Sequence, residues 1–245
     1  MVKLKAKNRS EQLVHDLGRK IVTGEIPPGE LLPKVEDAGE MLNVSRTVVR
    51  EALRVLSTMG LVRSNQRAGT VVLPRSDWQW WNLDVLTWVL EDEKNTDFLV
   101  HLTEVRLGLE PTAAALAAKR ATDQDMVKIK DAFERLELSI GDERAWASAD
   151  YDFHESILQA SHNDLIINTV KTLRKALVIS REKTLEASKN LPESPYDSPT
   201  QEVFKRHRVI YDAIIARDEE LARQKMTDLI LRVKRILEKI YGFQD

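Results

Sequence analysis

The sequence predicts a mainly α chain in two parts. The first is a small N-terminal unit of three helices and a β-hairpin; the second is an all-α C-terminal bundle. Three observations predict it. From residue 96 onward, apolar residues recur with helical spacing and are interrupted only at polar or proline-bearing joints. Residues 10–59 carry three shorter helical patterns, and two β-prone runs follow them around a polar turn. Charge divides the same way. Residues 1–75 hold 13 Lys and Arg against 8 Asp and Glu, and the remainder 24 against 31. A basic unit joined to an acidic body suggests a polyanion-binding module attached to a part with another task.

Composition narrows the class. The 245 residues are 42% hydrophobic and 31% charged, as in a globular chain. Cysteine is absent, which excludes disulfides and thiolate metal sites. No apolar run reaches membrane-spanning length, and MVKLKAKNRS lacks a signal-peptide core, so the expectation is a cytoplasmic protein without a membrane partner.

The first helix is expected over about 10–23, with Ser10 as N-cap and Leu13, Leu17 and Ile21 facing inward. GEIPPGELLP then turns the chain. A second helix covers about 34–42 and Asn43 ends it. Ser45 caps a third helix reaching Met59, where Gly60 stops it. LVRS and TVVL flank NQRAG as a small hairpin. RSDWQWWNLDVLTWVL holds four of the five tryptophans and reads as a linker, 76–95, pinned by aromatic anchors. Six helices are expected beyond it: 96–119, with a bend near Pro111, then 123–140, 143–161, 163–188, 200–216 and 218–240. SKNLPESPYDSP is a loop.

The third helix carries a local conflict. Arg46 and Arg50 sit one turn apart at its N-terminal end, where the helix dipole already disfavours cations. An external polyanion resolves it. Arginine's planar fork matches the two acceptors of guanine in a major groove, and Ser45 and Thr47 hydroxyls suit phosphate oxygens. The order LLPKVEDAGEMLNVSRTVVREALRVLSTMGLV, then QRAGTVV, resembles the winged helix-turn-helix of the GntR superfamily of bacterial transcription regulators. That resemblance implies contacts to a double-stranded DNA operator from Ser45, Arg46, Thr47 and Arg50, with Gln66, Arg67 and Gly69 at the wing. Members often carry an arginine in the second helix where this chain has Glu36, so that phosphate contact is not expected here.

In the second part, polar residues break the apolar stripes. Arg106 lies on the line of Leu99, Leu102, Leu109 and Ala113. Asp150 and His154 are four apart beside Ala149, Phe153 and Ile157, and His207 falls on Val203, Ile210 and Ile214. Buried charges need partners. Carboxylate and imidazole together suit a divalent cation such as zinc, or form a hydrogen-bond network without one. Arg106 suits either Glu110 or Asp150, or the carboxylate of a ligand. LTEVRLGLEPTAAALAAKRAT, DYDFHESILQASHN and RHRVIYDAIIARDEELARQKM resemble the FCD ligand-binding domain of the FadR-type branch. With the winged helix at 1–75, that makes 96–245 an effector-binding and dimerisation domain. The resemblance implies a metal held by an aspartate and three histidines, with an effector acid against it. Asp150, His154 and His207 match three of those positions, while Leu229 occupies the fourth. A three-ligand site, or none, is the expectation. WNLDVLTWVLED and Leu229 are most similar to the galactonate-operon repressor group, which implies a sugar acid such as galactonate as effector. The function expected is a homodimeric, metabolite-responsive repressor. The alternative is a metal-dependent hydrolase using Asp150, His154 and His207, although no nucleophile elbow or phosphate-binding glycine loop accompanies them.

Overall fold

The computed structural model describes residues 9–65, 69–92, 95, 97–188 and 200–241. They form two compact units, 1–93 and 94–245.

The first unit runs α1 (Arg9–Val22), β1 (Leu31–Leu32), α2 (Val35–Met41), α3 (Arg46–Thr58), β2 (Val62–Asn65), β3 (Gly69–Val72) and α4 (Leu83–Glu91). In α3, Val49, Ala52, Leu53 and Leu56 are buried, the i, i+3, i+4, i+7 spacing of one helix face. The Ser45 side chain caps that helix by accepting from the Val48 amide at 3.3 Å. Gly60 ends it with a φ of 71°. A Cβ there would run into the Asp77 carbonyl, so only glycine fits. Ser10 lies inside α1 and is buried.

The hairpin is part of a three-stranded antiparallel sheet of order β1-β3-β2, with Leu31 opposite Val71 and Asn65 opposite Gly69. The two-residue β1 was not anticipated: LL between turn residues gives no alternation to read, and its pairing is long-range.

The tryptophan-rich stretch folds onto the first unit. Asn82 caps α4 by accepting from the amides of Asp84 and Val85 at 3.0 and 3.2 Å. Trp88 is buried against α1, edge-on to His15, and its ring lies where a Cβ on Gly18 would be. Trp78 donates from Nε1 to the Leu73 carbonyl at 3.4 Å. Trp81 remains exposed.

The second unit contains α5 (Asp97–Arg120), α6 (Asp123–Leu138), α7 (Glu143–Ala160), α8 (Asp164–Ser188), α9 (Gln201–Ile215) and α10 (Glu219–Tyr241). Its helix starts are marked by side-chain caps: a Thr122–Asp125 capping box, Asp142, and Thr200. α5 continues through Pro111 and packs along α10. The core gathers Ile129, Leu136, Phe153, Ile157, Phe204, Ile210 and Ile230, with Phe133 stacked on Phe204 and Tyr211. Among the described residues, no helix is long and apolar enough to cross a membrane.

Candidate functional site

The N-terminal end of α3 is an exposed cationic edge. Ser45, Arg46, Thr47 and Arg50 are all exposed. Among the described residues, no carboxylate pairs with Arg46 or Arg50. Ser45 uses an oxygen lone pair for the cap, which leaves its hydroxyl proton free to donate outward. Gly69 opens β3 with a φ of 87°, the left-handed backbone that the wing turn demands. Gln66 and Arg67 lie outside the described residues.

The second unit holds a buried polar cluster. Helical spacing builds it: Arg106 and Glu110 lie one turn apart on α5, and Asp150 and His154 one turn apart on α7. α8 contributes Arg181 and α9 contributes His207. All six are buried. Asp150, His154 and His207 each bring one ligand atom to within 4.8 Å of the others. The Asp150 Oδ1 oxygen is the meeting point, 2.9 Å from His207 Nε2 and 3.7 Å from His154 Nε2. Its other oxygen accepts from Arg181 Nε. Arg106 Nε donates to Glu110 Oε1 at 2.7 Å. Glu110 Oε2 lies 2.6 Å from His154 Nδ1, but off the line of a hydrogen bond.

Two features of this hydrogen-bond pattern matter. His207 faces an acceptor at each ring nitrogen, the Val203 carbonyl at 3.1 Å from Nδ1 and Asp150 Oδ1 at Nε2. A neutral imidazole has one N–H and cannot donate to both. A proton or a metal ion between Nε2 and Oδ1 resolves the surplus of lone pairs. His154 has both ring nitrogens buried without a hydrogen-bond partner, a costly state unless something else engages them. The donor set of two imidazoles and one carboxylate therefore fits a divalent cation.

Electrostatics favour charged carboxylates and a neutral His154. Burial would raise the Asp150 pKa, but the Arg181 charge and the two histidines hold it well below the usual carboxylate range. Glu110 is likewise lowered, because Arg106 and His154 outweigh its burial. Burial pushes His154 down despite Glu110 and Asp150 beside it. The charges of the two arginines and the two carboxylates thus balance one another.

A cavity of about 50 Å³ opens onto the cluster, walled in part by Arg106, Ser180, Arg181, Thr184, Leu229 and Val233. Leu229 stands in the wall, so α10 does bring that position beside the candidate ligands. Arg181 and Glu110's contact with His154 were not read from the sequence. Arg181 follows Leu177 by one turn on the buried line of α8, the same signal that singled out Arg106.

Comparison with known proteins agrees with both units. Residues 9–72 match the model of bacterial regulatory proteins of the gntR family, and residues 101–232 match the FCD domain. The galactonate operon transcriptional repressor of Escherichia coli is 30% identical over 237 residues, covering 95% of this chain and 98% of that protein. The Uxu operon transcriptional regulator of the same organism is 32% identical, covering 92% of this chain and 84% of that one. The solved structure of Lar from Listeria monocytogenes superposes with a TM-score of 0.61 at 20% identity, covering 96% of this chain and 99% of Lar, a likeness of fold. These relatives are regulators of transcription, and nothing among them supports the hydrolase alternative. The chain belongs to the GntR family of bacterial regulatory proteins, in its FadR-type branch with an FCD domain, and is a DNA-binding, metabolite-responsive transcription regulator, not an enzyme.

Proposed function

We propose that the chain is a homodimeric repressor released from its operator by a small carboxylate, a sugar acid such as galactonate, bound against a divalent cation in the second unit. The convergence of both histidine Nε2 atoms on Asp150 Oδ1, beside a cavity walled by two arginines, carries this reading. Asp150, His154 and His207 would hold the cation. Its role is to supply the positive charge that the balanced cluster lacks, so that an acid's oxygens have an uncompensated partner. Arg106 and Arg181 line the approach, and both already share their charge with a carboxylate.

Binding of the acid in the cavity selects the conformation that releases the operator. At the other unit, Ser45, Arg46, Thr47 and Arg50, with Gln66, Arg67 and Gly69 of the wing, form the operator-reading surface. Two copies on a near-palindromic site match a two-fold dimer. Repression is favoured by the similarity to the galactonate operon repressor, although the Glc operon activator of Escherichia coli is also a relative, at 28% identity.

The test is a thermal-shift panel on the chelator-treated protein: cobalt or zinc alone, aldonic and hydroxy acids alone, then each acid with metal. The expected result is stabilisation by metal, a further shift by one acid only when metal is present, and loss of operator binding with that pair. Absence of any acid response, with or without metal, would sink the effector reading.

A further inference from the structure

We infer that Glu110, gripped by Arg106, is a positioning residue for the cation site: it turns the His154 ring so that Nε2 faces Asp150. This rests on the cation reading above. Each candidate ligand has an outer partner. The Val203 carbonyl sits at His207 Nδ1, and Arg181 holds the far oxygen of Asp150. For His154 the group at that place is Glu110 Oε2, 2.6 Å from Nδ1, which an N–H there reaches once the ring tilts into line. A metal-bound imidazole gives its second N–H to a carboxylate or carbonyl, which fixes both tautomer and ring angle. Glu110 is in turn held through both oxygens, by Arg106 Nε at 2.7 Å and Nη2 at 3.4 Å.

A stabilising role alone does not account for this pair. A buried ion pair contributes little compared with apolar residues of the same volume, because both ions lose their hydration. Glu110 is 2% exposed and Arg106 6%, on a helix whose neighbouring inward positions are Ala113 and Ala114. The geometry gives the pair a task at His154. It also explains how a site with leucine at its fourth position keeps an ordered imidazole: the constraint comes from α5.

The experiment measures Co²⁺ affinity of full-length chelator-treated protein, by competition with a chromophoric chelator, alongside thermal melts and the visible Co²⁺ spectrum. Variants are Glu110→Gln, Glu110→Ala and the double Arg106→Met/Glu110→Leu, with His154→Ala as control. Loss of an outer partner lowers metal affinity about 10- to 100-fold, and that is expected for Glu110→Ala. Glu110→Gln keeps an oxygen for Nδ1 and should lose only several-fold, with the spectrum retained. The double variant removes both charges and restores the melting temperature, yet its Co²⁺ affinity stays low. Restored affinity in the double variant, or wild-type affinity in Glu110→Gln together with Glu110→Ala, overturns the positioning role and leaves the cation reading standing. No Co²⁺ uptake by the wild type removes both.

Discussion

Arg46 and Arg50 stand on the exposed edge of α3 with no carboxylate partner among the described residues, whereas Arg106 and Arg181 are buried and each is bonded to a carboxylate. The same side chain answers two different problems. On α3 the guanidinium stays in water, so holding it unpaired costs little, and its donors remain available to a polyanion. In the helical unit an unpaired guanidinium would lose its hydration for nothing, so each comes with its counter-charge and becomes part of the fold. Substitution at the first pair should change binding and leave stability alone. Substitution at the second should change stability first.

The largest effect is expected at Arg181. Arg181→Ala leaves Asp150 buried with one oxygen bare, and breaking a buried pair from one side costs about 3–5 kcal/mol. Urea melts of the wild type and variant measure this. A variant as stable as wild type would mean that Asp150 finds another partner, and the contrast would then fail on its buried side.

Arg46→Ala and Arg50→Ala test the exposed side. Each should move stability by no more than about 0.5 kcal/mol while weakening binding to a wild-type-selected DNA site by about 1–3 kcal/mol. A fluorescence-anisotropy titration at fixed salt, repeated on unrelated DNA, separates base reading from phosphate attraction. Equal losses on both DNAs would demote these residues to backbone contacts.

The same contrast explains what the sequence could and could not reveal. Buried polar residues on otherwise apolar stripes are legible, because helical spacing exposes the misfit; Arg106, Asp150, His154 and His207 were found that way. Arg181 obeys the same rule, but Arg174, Lys175, Glu182 and Lys183 surround it in sequence and blur the stripe of α8. All six helices of the second unit were readable from periodicity and from the polar or proline-bearing joints between them. The helix α4 was not, since its six buried residues in a row from Val85 to Leu90 give no period. Nor does spacing show which side chains meet across helices. Glu110 with His154 is a tertiary contact between α5 and α7.

A smaller effect is expected at Leu229, in the wall of the cavity that the candidate ligands also line. Leu229→His offers a third imidazole to the cation and should tighten Co²⁺ binding by about tenfold, roughly 1.4 kcal/mol. It should also weaken the acid response by filling the position an effector oxygen would take. Unchanged affinity would mean that the ring cannot reach the ion and that the cavity belongs to the arginines alone.

The smallest effect is a pH dependence that sets His154 apart from the exposed cations. Burial lowers its pKa in the folded chain, while the unfolded value is about 6.5. Between those values the unfolded state binds more protons, so stability falls as pH drops below about 6.5 and is independent of this group above it. The loss grows as pH falls from 7 to 6, as more of the unfolded rings take up a proton. Glu110 and Asp150, both lowered, add a loss of the same sign only once pH nears the carboxylate range, so they do not enter this window. The measurement is urea denaturation of chelator-treated protein at pH 7.5, 7.0, 6.5 and 6.0, for the wild type and His154→Leu. The difference between the two isolates His154 from Arg106, Arg181 and His207 around it. That difference should shift against the wild type on acidification. If it stays flat, or shifts in the wild type's favour, then His154 carries a proton in the folded chain, and the cluster would hold a net positive charge before any cation arrived.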